Sequence, residues 1–204
     1  MRAATGLLVM VVLLWAVGAA ALPVRIECTL SYAGFGHVNG LIEEFAELNG
    51  SELSTLHVAL GGGVSVGSIT VLGPGSIVAG LRGGFAARSW REAEVSASVL
   101  GVCAGYEYVT GRFAGVLDVG IYRGSFDFSE ARYVRLAGWG PGIRVAADYK
   151  VLSRESLDLY IAASVQWLPV QAMSDRSGQT FRGRGTPFLD FSGISLSMGV
   201  EWRF

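Results

Sequence analysis

The last eleven residues, Ile194 to Phe204, constrain the fold of this chain more than any other stretch. Every second residue is apolar, and the residues between them are small, polar or charged. Successive side chains of a β-strand point to opposite faces, so this stretch predicts a strand with one apolar and one polar face. The apolar face consists of Ile194, Leu196, Met198, Val200, Trp202 and Phe204.

The same alternation recurs in seven earlier stretches, most of them near the roughly ten residues that a tilted strand needs to cross a bilayer. Their ranges are 24–34, 55–72, 77–88, 96–108, 112–122, 143–151 and 157–167. Tight turns are expected after the second, fourth and sixth stretches. Long polar connections are expected after the first, fifth and seventh, including loops at 125–140 and 169–190, and a short polar loop at 90–94 is expected after the third. Together these features predict an all-β fold, an eight-stranded antiparallel up-and-down transmembrane β-barrel.

The first long connection contains a second pattern. Apolar residues recur at helical spacing between His37 and Leu48, and Gly50 follows as a helix-ending residue. We therefore expect a short helix in the first external loop, placed to cap the barrel mouth, to contact lipid headgroups, or simply to pack on the rim.

Alternation alone also allows a soluble, lipocalin-like barrel. The aromatic residues of the apolar face favour lipid, because they map to the two ends of the strands and leave aliphatic residues between. Tyr106, Tyr108, Phe113, Tyr149, Trp202 and Phe204 fall at one end, and Tyr32, Phe85 and Trp167 fall at the other.

The opposite face carries charges of both signs on strands rich in Gly and Ser. These predicted lumen charges are Arg25, Glu27, Arg82, Glu107, Arg112, Asp118, Arg144, Asp148, Lys150, Asp158, Glu201 and Arg203. An unpaired buried charge costs several kcal/mol, so we expect these groups to form ion pairs. An eight-stranded barrel is roughly filled by its own side chains, so no open pore is expected.

The ending Trp202-Arg203-Phe204 resembles the closing strand of bacterial outer-membrane β-barrels. The pattern of the whole chain is similar to the small barrels typified by the OmpA membrane domain, OmpX and OmpW. The resemblance implies that Trp202 and Phe204 form an assembly signal for the barrel-assembly machinery. It also implies a monomer whose partners are outer-membrane lipid and lipopolysaccharide.

The N-terminus is typical of an exported protein. Arg2 precedes an apolar run and the small residues that end at Ala21, so residues 1–21 are expected to be a cleaved signal peptide. Residues 22–204 then form one barrel domain in the outer membrane. Removing Arg2 leaves 15 basic residues of the 16 against 17 acidic ones, a net charge of −2 that gives no reason to expect nucleic acid.

Other candidate sites are weak. His37 is expected in a solvated loop, and His57 is expected to face the lumen near the external rim, where a lipid A-modifying hydrolase could place a catalytic histidine. Cys28 should face outward and Cys103 inward, so no disulfide is expected. Arg176, Arg182 and Arg184 in the last loop could hold lipopolysaccharide phosphates or be merely solvated.

The sequence predicts no catalytic residues, no cofactor and no metal site. The first hypothesis is a non-enzymatic outer-membrane barrel with a structural or surface-interaction role and a largely filled polar lumen. The alternatives are a narrow channel for small or hydrophobic solutes and a lipid A-modifying hydrolase.

Overall fold

The computed structural model describes residues 23–33, 39–40, 42–43, 47, 56–67, 75–90, 93–129, 133–174 and 189–203. The expected signal peptide, His37, Phe204 and the last-loop arginines 176, 182 and 184 lie outside these residues. The strands are β1 Val24–Ala33, β2 Val58–Gly67, β3 Gly75–Trp90, β4 Ala93–Thr110, β5 Phe113–Ser129, β6 Tyr133–Ser153, β7 Leu157–Trp167, β8 Pro169–Ser174, β9 Leu189–Asp190 and β10 Gly193–Trp202.

Eight of these strands form a closed antiparallel barrel. Strands β1 to β7 pair in sequence, β10 pairs with β7, and β1 pairs with β10 to close the barrel. The closing register joins Val24 to Trp202 and Ala33 to Gly193. The two remaining strands are not members of this ring, because β8 pairs with the first part of β6 and β9 pairs with β8.

The two ends of the barrel differ. At one end, here called the turn end, β4 and β5 are joined at Gly111, whose φ of 60° suits glycine. The turn between β6 and β7 at the same end is closed by the Arg154 N–H, which donates to the Leu157 carbonyl oxygen at 2.9 Å. The two longest connections, from β1 to β2 and from β7 to β10, lie at the opposite end, here called the loop end.

One wall of the barrel is much taller than the other. Strands β1, β2 and β10 have 10 residues each, whereas β5 has 17 and β6 has 21. The extra length lies mainly at the loop end, where residues 125–129 continue β5 and 133–140 belong to β6. The expected polar loop at 125–140 is therefore wrong, and the expected loop at 169–190 contains β8 and β9.

The outer face of the barrel is apolar on all eight strands from the turn end to the level of Ile121, as the alternation predicts. Leu60, Leu196 and Met198 are each about two-thirds exposed, at 67%, 66% and 67%. Cys28 is exposed on this face and Cys103 is buried in the interior, and both thiols are free. Within the described residues, no helix has the length and apolar character needed to span a membrane.

The helix expected in the first loop is described at five positions. Asn39, Gly40, Ile42, Glu43 and Glu47 are helical. Ile42 is fully buried.

The barrel interior as candidate functional site

The turn-end half of the interior is built around Arg25 on β1. Its guanidinium group donates to Asp148 at 2.7 Å, to Glu107 at 2.7 Å and to Glu201 at 3.1 Å. These carboxylates lie on β6, β4 and β10, so one side chain of the first strand links three other strands across the lumen. The Arg25 guanidinium carbon also lies 4.3 Å from the centre of the Tyr160 ring, a cation–π distance.

A second ion-pair group lies next to this one, further from the turn end. Asp118 accepts from Arg144 Nε at 3.0 Å and lies 3.5 Å from Arg82 Nη2. Glu27 pairs with Arg82 and accepts a hydrogen bond from the Tyr160 hydroxyl at 3.3 Å. Tyr160 therefore contacts both groups, which makes the two a continuous network.

The third group is at the mouth of the turn end. The buried Asp158 carboxylate accepts from Lys150 at 2.8 Å and from the Ser153 hydroxyl at 2.6 Å, and it also pairs with Arg203. Arg203 reaches Glu201 at 3.4 Å, which connects the mouth to the Arg25 group. Unlike the other cations, Arg203 has a side chain that is 43% exposed.

Small residues make space for these side chains. A Cβ added to Gly63 would lie 3.1 Å from Arg82 Cγ and 3.4 Å from a Glu27 carboxylate oxygen. Above the ion pairs, the Tyr122 ring lies against β5 and β6, where a Cβ on Gly142 or Gly120 would come within 2.6 or 2.8 Å of it. Glycine at these positions lets large groups fill a narrow barrel.

Hydroxyl groups line the middle of the lumen. Ser164 and Ser195 have their Oγ atoms 2.6 Å apart, and Thr29 and Ser197 have theirs 3.0 Å apart. A cavity of about 60 Å³ lies at this level, with the Arg82 and Arg144 side chains in its wall. One water needs roughly 10–15 Å³ of such volume, so the cavity is a small chamber.

The loop-end half of the interior is an apolar core. Phe126 and Phe128 on β5, which are 0% and 1% exposed, share it with Leu136 on β6. The core is completed by Val95, Ala97, Val170, Leu168, Phe191, Ala33, Ala59, Ala86, Leu56 and Ile42.

Ile42 belongs to the helical residues of the first loop, so the loop contributes to the closure of this end. Asn39 fixes the loop, because its side-chain amide donates to the Leu56 carbonyl oxygen at 2.9 Å and its amide oxygen accepts from the Leu56 N–H at 2.7 Å.

Comparison with known proteins gives a fold. No family model and no curated protein sequence matches the chain. Among solved structures, it is similar to Neisserial surface protein A, with 10% identity, a TM-score of 0.53, and coverage of 91% of this chain and 98% of that one. It is also similar to Ail, the attachment invasion locus protein of Yersinia pestis, crystallised with the heparin analogue sucrose octasulfate. That match has 9% identity, a TM-score of 0.51, and coverage of 90% and 96%. The fold is that of the small outer-membrane β-barrels.

Within this outer-membrane barrel fold, the structure places eleven of the twelve predicted lumen charges in interior ion pairs. Arg112 is the exception and the assignment was wrong. It is exposed in the turn after Gly111, because a two-residue turn occupies the position that the alternation gave to the start of a strand. Trp202 is 40% exposed on the outer face, and its role in assembly stays a prediction.

His57 also differs from the expectation. It is exposed before β2 begins, and its ring stacks on the outward-facing Tyr32, with ring centres 6.1 Å apart. The residue therefore does not face the lumen. Groups of His, Cys, Asp and Glu that could hold a metal ion do not occur among the described residues.

Sequence reasoning missed the apolar core of the loop end. The sequence does contain a signal for this core. On β5 every second residue after Asp118 faces inward without interruption, and these residues include Tyr122, Gly124, Phe126 and Phe128.

Proposed function

We propose that this chain is a non-enzymatic outer-membrane barrel with a closed lumen and a structural or surface-interaction role. The observation that supports it best is closure at two levels. The ion-pair network fills the turn-end half of the interior, and the apolar core fills the loop-end half. The small chamber lies between them.

A membrane location is supported by the outer face. Its apolar side chains are exposed along all eight strands, which would be unfavourable in water over so large an area. Aromatic residues stand at both limits of this surface, including Tyr108 and Phe113 at the turn end and Phe85 and Trp167 towards the loop end. Rings at these levels suit the two headgroup regions of a bilayer.

Export and assembly follow from the same proposal. The chain would be exported by a signal peptide cut after Ala21, and the barrel-assembly machinery would read the ending that contains Trp202 and Phe204. The turn end would face the periplasm and the loop end the cell exterior, in contact with lipopolysaccharide. The protein would act as a monomer.

The surface role is supported by the tall wall of β4, β5 and β6 at the loop end. This wall is held by the apolar core on its inner side and extended by β8 along the edge of β6. It would present a rigid surface outside the membrane. The two similar barrels reported above are named for surface location and for attachment, so attachment of whole cells to surfaces is the first activity to test.

Two experiments test membrane insertion and closure. Gel mobility before and after boiling should show a heat-modifiable shift, and cell fractionation should find the protein in the outer membrane. A soluble periplasmic protein without such a shift would contradict the proposal. In planar bilayers the purified protein should give no stable single-channel steps, whereas reproducible steps would favour the narrow-channel alternative.

The hydrolase alternative has its own test. Mass analysis of lipid A from cells with and without the protein should give the same profile. A new, protein-dependent lipid A species would contradict the non-enzymatic role.

A further inference from the structure

The outward-facing charges of the described strands are confined to the loop-end part of the tall wall. Glu94 on β4 and Arg123 and Asp127 on β5 face outward there. Between the turn end and the level of Ile121, the outward-facing side chains of the described strand residues are all uncharged. Arg123 is thus the first charge met on leaving the apolar surface.

The surroundings of Arg123 change in character at this level. The next outward-facing residue towards the turn end on β5 is Ile121, which is 60% exposed. The direct partner of Arg123 on β4 is Leu100, which is 63% exposed. Above Arg123, the hydroxyl groups of Ser98 and Ser125 are 2.7 Å apart. On β6 the direct cross-strand partner of Arg123 is Trp139, which is 61% exposed. Direct partners of an antiparallel pair hold their Cβ atoms roughly 5 Å apart, so the Arg123 and Trp139 side chains leave the backbone next to each other on the outer face.

The height of Arg123 agrees with a membrane boundary. It lies ten residues after Phe113, the aromatic residue at the turn end of β5. A strand tilted by roughly 40° and rising roughly 3.3 Å per residue climbs roughly 25 Å over that distance, which is the height of the apolar band of outer-membrane barrels.

The positive charge of Arg123 is also available to bind an anion. The inward-facing Arg25, Arg82 and Arg144 each pair with at least one carboxylate. No carboxylate among the described residues forms an ion pair with Arg123, which is exposed. A cation at a membrane boundary attracts an anionic headgroup, and a guanidinium group can donate two parallel hydrogen bonds to a phosphate.

We propose that Arg123 and Trp139 form a binding site for the phosphate-bearing headgroup of a lipid in the outer leaflet. Arg123 binds the phosphate, Trp139 packs beside the headgroup at the boundary, and the acyl chains cover Leu100 and Ile121. The inference rests on the proposed membrane location, with the loop end outside.

The test uses the full mature protein in uncharged detergent micelles, with bis-phosphorylated lipid A as the probe and bound lipid measured by native mass spectrometry. Arg123→Gln should weaken binding about fivefold, the factor that corresponds to about 1 kcal/mol for one basic residue at an anionic surface. The matched control is Arg154→Gln, which removes an exposed arginine from the turn end and should leave binding unchanged. Arg123→Lys keeps the positive charge but lacks the planar guanidinium group with its parallel donors, so it should weaken binding less than Arg123→Gln.

Two further arms identify the ligand. Lipid A without phosphates should bind to the wild-type protein as weakly as normal lipid A binds to Arg123→Gln. Inorganic phosphate at millimolar concentration should not displace the lipid, and displacement would mean a free-anion site and overturn the proposal. Equal binding by wild type and Arg123→Gln, or no binding by wild type, would overturn it as well.

Heat-modifiable mobility and outer-membrane fractionation of each variant keep this result separate from the proposed function. If wild type fails those two measurements, the membrane location itself is wrong. If it passes them and Arg123→Gln binds lipid A normally, only the lipid site is wrong.

Discussion

The two halves of the barrel interior are built in opposite ways on the same strands. On β5, Asp118 faces inward in the turn-end half and Phe126 faces inward in the loop-end half. Their outward neighbours are also reversed, with exposed Val119 beside the first and Ser125 beside the second. The same alternate positions face inward in both halves. The inward face of the one strand therefore changes from polar to apolar, and its outward face changes from apolar to polar.

The difference follows from what surrounds each half. Where the barrel is surrounded by lipid, as we propose for the turn-end half, apolar groups face outward and the interior accepts polar groups. Where the wall rises into water, the outer face is polar and the interior must supply an ordinary hydrophobic core. The two halves therefore depend on different forces, and substitutions in each should fail in different ways.

The largest effect is expected from Arg25→Met in the charged half. The substitution removes a partner from Glu107, Asp148 and Glu201, of which Glu201 keeps Arg203. Leaving a buried charge without its partner costs about 3–5 kcal/mol. We expect a loss of about 5 kcal/mol in the free energy of unfolding, the upper part of that range, because three carboxylates are affected. Urea titration in lipid vesicles, followed by gel mobility, measures it.

The control for this prediction is Arg112→Met, which removes an exposed arginine from the turn and should change stability little. If Arg25→Met were within about 1 kcal/mol of wild type, the interior ion pairs would contribute no more than surface pairs do. The charged half would then owe its stability to the strands alone.

The second effect tests the apolar half through Phe126→Ala. Truncating a fully buried phenylalanine costs about 3–5 kcal/mol, and we expect about 3 because Ile42 belongs to the same core and its side chain can close part of the cavity. The volume-conserving change Phe126→Leu should cost less than about 1.5 kcal/mol.

The part of the barrel that opens in Phe126→Ala shows whether the two halves unfold independently. Because the ion pairs below remain intact, Phe126→Ala should increase proteolysis in the loop-end connections while a heat-modifiable barrel persists. Loss of the whole barrel at the same denaturant concentration as loop cleavage would mean that the two halves unfold as one unit.

The contrast between the halves also explains what the sequence could and could not predict. Alternation places Arg25 and Glu107 on the inward face, since that depends only on local parity. It cannot say that they meet, because 82 residues separate them and their contact depends on the tilt and register of strands that pair elsewhere. Arg112 was misplaced because a turn of two residues occupies the position that the pattern gave to the start of the fifth strand.

The loop-end core was missed for a different reason. Ser125, Asp127 and Ser129 suggest a polar loop when polarity alone is considered. They are the water-facing side of a strand whose other side carries Phe126 and Phe128. A polar stretch that keeps the alternation phase of the preceding membrane strand predicts an extension of that strand above the membrane.

A smaller effect is expected from Arg203→Met, which makes the same chemical change as Arg25→Met at the mouth of the charged half. Its side chain is 43% exposed, so water screens its pairs with Asp158 and Glu201. Lys150 and Ser153 remain as partners of Asp158. We expect a cost of about 1 kcal/mol, the upper limit for an exposed ion pair. A cost equal to that of Arg25→Met would show that burial does not set the strength of these pairs.

The smallest effect is expected where the two halves meet, from Ser164→Ala. The substitution removes the hydroxyl that lies 2.6 Å from Ser195 Oγ, and a neutral hydrogen bond contributes about 0.5–1.5 kcal/mol net. We expect about 0.5 kcal/mol by urea titration, because Ser195 lines the chamber and its hydroxyl can turn towards it. A loss above about 2 kcal/mol would mean that the Ser195 hydroxyl is left unsatisfied. In that case this level belongs to the tightly paired half below it, and the boundary between the two halves lies nearer to Tyr122.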